Sequence, residues 1–499
     1  GDVEELIMLK IKVTKTTKSQ THFLSITHFR YNPLQSFDFF GIYNGYRHLV
    51  KEIKSIAILT GAPIFTRWIE QNLDHYDANE TRTWKMRYYE RLDYWRPTGP
   101  VYLFIGGESA AEPGFLTTGV VYDLAKETNG AMFMSEHRYY GKSQPVNRSN
   151  LEDMRFLSAT QALVDNAVLL KSIKKNILFK NSKIVVIGGS YAGNLAAWMK
   201  LVYPDLVNAA IASSGPVEAK RDFYEYLEVV SKDYEQYGTQ RCWENIQNIF
   251  QRYDSLLKSN EGVKQLKEEE NICEKTDMTK PENNYLFFLS KASNFMSNAQ
   301  YGTTDSIKNH CSKINNTHDI YVLPNDEQND TNEKEYCNDY DFDSMIPEYH
   351  KEENDWILCW TYQTCTEFGY FQTTSSDNQP FTANIPVQFY DKLCSSLFGV
   401  SFDKDRVNNG VKKINELYGG KSPNVTEVVF VNGELDPWSA LGILEDISYK
   451  APAIYIPRSS HCRDLFSDSK GDDEELKEAR KNIKYLVKKW IGAGDFVKF

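Results

Sequence analysis

Short apolar strands that each run out on glycine or a polar loop, separated by amphipathic helices, leave this chain very few ways to fold. The segments "VYLFIGGES" (101–109), "GAMFMSEHRYYG" (130–141), "KIVVIGGS" (183–190), "VNAAIASSGPV" (207–217), "EVVFVNGELDPW" (427–438) and "APAIYIPRSSHCRD" (451–464) all read this way. Runs that are apolar throughout, rather than at every second residue, belong to strands covered on both faces. Helical segments such as 159–174 lie between them. The pattern predicts a mostly parallel sheet with helices on both sides. In such sheets, function gathers beyond the carboxyl ends of the strands.

One of these ends is unusual. After the β-branched run 184–187 come Gly188, Gly189, Ser190, Tyr191, Ala192 and Gly193, then the helix-forming "NLAAWMKLVY" up to Pro204. A serine at the tip of a tight strand-to-helix turn is the arrangement of a nucleophile elbow, in which a strained backbone pushes the hydroxyl out above the sheet. The small residues two before and two after the serine are Gly188 and Ala192, with alanine in place of the commoner glycine. A serine hydroxyl needs a base, and the base needs a third group to orient it. Asp436 follows the strand of "EVVFVNG" and His461 follows that of "AIYIP", so both belong at the same edge as Ser190. Glu434 and His137 also follow strands and are the rivals for the two roles. The order Ser, Asp, His is that of α/β-hydrolases. A hydrolase of this kind also needs two N–H donors for its oxyanion. Tyr191 supplies one, and Gly106 or Gly107 the other.

The alternation breaks between about 218 and 398, where strands give way to charged helical segments such as "FYEYLEVVSKDYEQYG". The expected organisation is an N-terminal extension of unclear role (1–60), a first part of an α/β-hydrolase core (61–217), a helical lid insertion (218–398) and a second part of the core (399–499). The segment 55–65, apolar and preceded by two lysines, reads as a strand or linker rather than a targeting signal.

Net charge is −11 and no basic stripe is present, which argues against nucleic acid as a partner. No apolar run reaches the length of a membrane span. The eight cysteines all lie beyond residue 241, without a C-x-x-C pair, which fits disulfides in an oxidising compartment. Sequons at Asn79, Asn147, Asn315, Asn329 and Asn424 agree with a glycosylated protein of the secretory route. No His, Cys and acidic cluster has metal-ligand spacing. No metal and no cofactor is therefore expected.

The chain from about residue 65 onward resembles the family of prolyl carboxypeptidase, dipeptidyl peptidase II and the thymus-specific serine protease. The blocks that carry the resemblance are "QNLDHYD" (71), "FIGGES" (104), "EHRYYGKSQP" (136), "FLSATQALVD" (156), "GGSYAGNLAAW" (188), "WTYQTCTEFGYFQT" (360), "VNGELDPW" (431) and "SHCRD" (460). The forms "YQTCTEFG" and "SHC" are closest to the thymus-specific branch. The resemblance implies a serine exopeptidase, secreted or lysosomal, that cuts short peptides after proline or another small residue near one terminus. Ser190, Asp436 and His461 align with the family's triad, and a homodimer is left open. The family pattern implies the pairs Cys242–Cys311, Cys273–Cys337 and Cys365–Cys394. Cys359 and Cys462 remain, and their pairing would tie the lid to the His461 loop. The family also places an aromatic at Trp438, expected as a wall for the proline ring. Glu108 reads either as a contact for a substrate's amino terminus or as a solvated loop acid. The alternatives are an esterase or lipase on the same fold, and a non-catalytic secreted binding protein.

Overall fold

The structure is a computed structural model and describes residues 63–146, 150–316 and 337–493. Its centre is an eight-stranded sheet of order β1-β2-β4-β3-β5-β6-β9-β10. The strands are β1 (Phe65–Asn72), β2 (Thr83–Arg91), β3 (Val101–Phe104), β4 (Ala131–Ser135), β5 (Ile184–Gly189), β6 (Ala209–Ser213), β9 (Val428–Gly433) and β10 (Ala453–Ile456). From β4 to β10 every neighbouring pair is parallel, and β1 and β2 join antiparallel at one edge. This is the α/β-hydrolase fold.

The apolar runs are continuous because each strand feeds two cores. In β5, Ile184 and Val186 enter one apolar cluster while Val185 and Ile187 enter the other. Val428 and Phe430 of β9 divide from Val429 and Val431 in the same way. Helix α2 (Ala159–Lys175) and α3 (Tyr191–Val202) cover the first face; α1 (Val120–Thr128) and α12 (Glu474–Ile491) cover the second.

Between β6 and β9 the chain leaves the sheet and builds a mostly helical insertion. It contains α4 (Glu225–Asp233), α5 (Gln240–Leu256), α6 (Asn260–Glu269), α7 (Pro281–Tyr301), α8 (Thr304–Asn316), α9 (Asp355–Gln363) and α10 (Val387–Phe398), with α11 (Lys404–Tyr418) leading back. The expectation of a strand-free insert needs correction, because β7 (Lys220–Asp222) and β8 (Gly369–Phe371) pair in parallel there. Three residues each, with β8 wholly buried, give no periodicity to read.

Three disulfides, Cys242–Cys311, Cys273–Cys337 and Cys365–Cys394, cross-link the insertion. The expected Cys359–Cys462 bond is absent and both residues are thiols. Cys359 Sγ donates to the Tyr139 carbonyl at 3.8 Å, beyond β4, whereas Cys462 Sγ lies 4.0 Å from the Ser213 carbonyl, at the end of β6. β4 and β6 are three positions apart in the sheet, a separation of roughly 14 Å at about 4.8 Å per strand. A disulfide tolerates a Cα separation of only about 7 Å.

Asn79 and Asn424 are exposed. Asn315 is in α8, Asn147 and Asn329 lie outside the described residues, and most of 55–65 does too. Among the described residues no helix is long and apolar enough to cross a membrane.

Candidate active site

Ser190 sits between β5 and α3 with φ 58° and ψ −132°, a left-handed φ that non-glycine residues rarely hold. The turn is fixed from both sides. Ser190 N–H donates to the Ser213 carbonyl at 2.9 Å, and its own carbonyl accepts from Gly193 N–H at 2.8 Å. Close approach explains the glycines. A Cβ on Gly188 would stand 1.9 Å from the Ala192 carbonyl oxygen, and one on Gly193 would stand 2.6 Å from that of Ser213. Ala192 meets no such wall, so alanine is accommodated where glycine is commoner.

Asp436 and His461 arrive from the ends of β9 and β10. His461 Nδ1 and Asp436 Oδ2 are 2.8 Å apart, and Asp436 Oδ1 accepts the Trp438 backbone N–H at 3.0 Å. Both carboxylate oxygens are thus engaged in a fully buried setting. Burial disfavours charge on His461, but the Asp436 carboxylate outweighs it and holds the imidazole pKa well above its ordinary value. The rivals are occupied elsewhere. Glu434 accepts from Tyr237 Oη and the Arg458 N–H. His137 bonds the Arg138 carbonyl at 2.7 Å and Tyr191 Oη at 2.9 Å, and burial lowers its pKa to about 4.

Ser190 and His461 line one cavity of about 580 Å³, together with Gly106, Gly107 and Glu108. The His461 segment packs directly over the elbow: a Cβ on Gly189 would lie 3.0 Å from Cys462 Sγ. The first N–H groups of α3, Tyr191 among them, have no acceptor within the helix. Gly106 N–H donates to Ser135 Oγ at 3.3 Å, which leaves Gly107 as the better of the two glycines for an oxyanion donor. Trp438 departs from expectation. It is 2% exposed, packed against Phe223, Tyr226 and Tyr370, and is not part of the cavity wall. Its ring anchors the Asp436 loop instead.

Gln300 is a site residue that no sequence motif marks. This last-turn residue of α7 accepts the His461 N–H on its backbone carbonyl at 2.8 Å, and Trp438 Nε1–H and Tyr226 Oη–H on Oε1 at 3.1 and 2.6 Å. The neighbouring Tyr301 ring meets the His461 ring edge-to-face at 5.9 Å. The insertion therefore grips the loops of both His461 and Asp436. A glutamine near a helix end carries no sequence signal for that task.

The "EHRYYG" block is a buried polar hub behind the elbow. Glu136 pairs with Arg87 and accepts from Ser143 Oγ at 2.7 Å, and Tyr140 Oη donates to Gln363 of α9 at 2.7 Å. Arg138 makes two bonds to Asp165, at 2.6 and 2.8 Å, and donates to the Leu73 and Phe156 carbonyls at 2.9 Å each. Arg138→Met leaves the buried Asp165 carboxylate with His75, at 2.7 Å, as its one remaining side-chain partner, so unfolding free energy measured by denaturant titration falls by about 3 kcal/mol. A loss under about 1 kcal/mol would contradict this role.

An elbow serine, a histidine–carboxylate pair and a shared cavity on this fold are the parts that a serine hydrolase requires. The serine carboxypeptidase S28 family model matches residues 71–483, and the chain belongs to that family. Its relatives include the thymus-specific serine protease of Mus musculus, 31% identical over 446 residues, covering 85% of this chain and 87% of that protein. The lysosomal Pro-X carboxypeptidase of Bos taurus is 31% identical over 460 residues, with 85% and 87% covered. The human thymus-specific serine protease is 30% identical over 452 residues, with 85% and 86% covered.

Proposed function

We propose that this S28 peptidase is a serine exopeptidase that cleaves short peptides after proline near one terminus, through an acyl-enzyme on Ser190. The observation that carries the reading is the buried His461–Asp436 pair beside a strained Ser190 over one cavity. With Nδ1 held by Asp436, Nε2 of His461 is the nitrogen left to take the Ser190 proton and return it to the leaving amine. Asp436 fixes that tautomer and stabilises the imidazolium. The Tyr191 and Gly107 N–H groups receive the negative oxygen of the tetrahedral intermediate. Aromatic wall residues such as Phe115, Tyr301 and Trp356 offer the flat apolar surface that a proline ring needs. The relatives named Pro-X carboxypeptidase support proline as the preferred residue. The insertion restricts access to chain ends, and the disulfides favour a secreted or lysosomal location.

The test is covalent labelling with a fluorophosphonate, mapped by mass spectrometry, beside parallel assays on prolyl peptides and simple esters. Label on the Ser190 peptide together with proline-directed peptide cleavage is the expected result. Ester turnover with no peptide cleavage would overturn the peptidase assignment in favour of an esterase.

A further inference from the structure

One surface of this acidic chain is basic. Between Asp165, which is buried against Arg138, and Asp205 the sequence holds no acidic residue. Lys171, Lys174, Lys175, Lys180 and Lys183 fall there, at the end of α2 and in the turn that leads to β5. None of the five is ion-paired among the described residues. Lys174 donates to the Ser182 carbonyl at 3.0 Å, and Lys171 lies over the Tyr203 ring. In the same turn Ile177 is 78% exposed and Leu178 55%.

The local structure holds these two side chains outward. Phe179, next in the chain, is buried edge-on against Trp95 and Phe133, at 5.1 and 5.9 Å. Leu178 N–H donates to Asn176 Oδ1 at 3.1 Å, and Phe179 N–H to the Asn176 carbonyl at 3.0 Å. With Phe179 filling the space beneath, Ile177 and Leu178 have no core to enter. Trp95 leads to Arg96, which with Lys183 lines a second cavity of about 260 Å³ whose described walls carry no acid. Acids beside that cavity are engaged. Asp93 pairs with Arg91 at 2.8 Å, and Glu127 with Lys484 and Lys488 at 2.7 and 2.6 Å.

We propose that this turn docks the protein on an anionic phospholipid surface. Ile177 and Leu178 enter the headgroup layer, while the lysines and Arg96 meet lipid phosphates. Clustered lysines are drawn to anionic leaflets, and an apolar tip flanked by cations is what an interfacial segment presents. A nucleic acid would be met by stacking aromatic side chains, and this tip offers aliphatic ones. The six residues of β5 separate the turn from the Ser190 elbow, roughly 20 Å along the strand. Docking therefore leaves the catalytic cavity facing solution.

The experiment is flotation of the full chain with vesicles of phosphatidylcholine alone or with added phosphatidylserine, at low and high salt. The expected result is binding to the mixed vesicles alone, weakened by salt. Lys175→Gln with Lys180→Gln should lower the affinity about 25-fold, about fivefold for each lysine. Ile177→Ser with Leu178→Ser should lower it about tenfold through lost apolar burial. Absence of binding at low salt, or equal binding to both vesicles, would overturn the proposal. Undiminished binding of the Ile177/Leu178 variant would overturn it too, in favour of a purely ionic partner such as an acidic protein. Both variants should keep wild-type kcat/KM on a soluble prolyl peptide, so the docking surface and the peptidase reading are tested separately.

Discussion

Ser190→Ala lowers kcat on prolyl peptides by on the order of 10⁶-fold, the loss seen when the nucleophile of a triad is removed. The fold should not suffer. Ser190 makes no side-chain capping bond to α3, and its turn is held by its own N–H donating to the Ser213 carbonyl and by the Gly193 and Asn194 N–H groups donating to its carbonyl. Alanine carries the same left-handed strain as serine, so stability should stay within about 0.5 kcal/mol of the wild type. Thermal melts beside steady-state kinetics check both halves. More than about 1% residual activity in a folded variant would remove Ser190 from the reaction, since an intact triad minus its nucleophile cannot retain that much.

Asp436→Asn should cost about 10⁴-fold in kcat, for a reason the hydrogen bonds make specific. The Trp438 N–H donates to Oδ1 of residue 436 and needs an acceptor there. An asparagine must therefore keep its carbonyl oxygen toward Trp438 and turn its NH₂ toward His461 Nδ1. That nitrogen becomes an acceptor, the ring proton moves to Nε2, and Nε2 can no longer take a proton from Ser190. The substitution also deletes the charge that raises the His461 pKa against burial, so the acid limb of the residual activity should shift to lower pH. An unchanged limb, or a loss under tenfold, would mean that Asp436 does not govern the imidazole.

Strands β3, β4, β5, β6 and β9 could be read from the sequence because burial on both faces makes them apolar throughout, as with the split of Ile184 and Val186 from Val185 and Ile187. The β1–β2 hairpin could not. "FTRWIEQN" lies at the sheet edge with only Gln71 buried, so no apolar period marks it. Ser190, Asp436 and His461 stood out because each follows a strand in a parallel sheet, which places them at one edge without knowledge of the insertion. Trp438 misled because its position beside Asp436 says nothing of which way the ring faces; it turns into the cluster of Phe223, Tyr226 and Tyr370. Pairing Cys359 with Cys462 as the two left over ignores the two strands between β4 and β6. Gln300 was invisible because its role depends on where α7 ends relative to loops more than a hundred residues away.

The Cys242–Cys311 bond joins α5 to α8, which begins just after the Gln300–Tyr301 turn that steadies the imidazole. All three cross-links fall within the insertion, and the central sheet has none. Reducing agent should therefore loosen the segment under the imidazole before it disturbs the sheet, so that activity is lost at reductant concentrations that leave the far-ultraviolet circular dichroism unchanged.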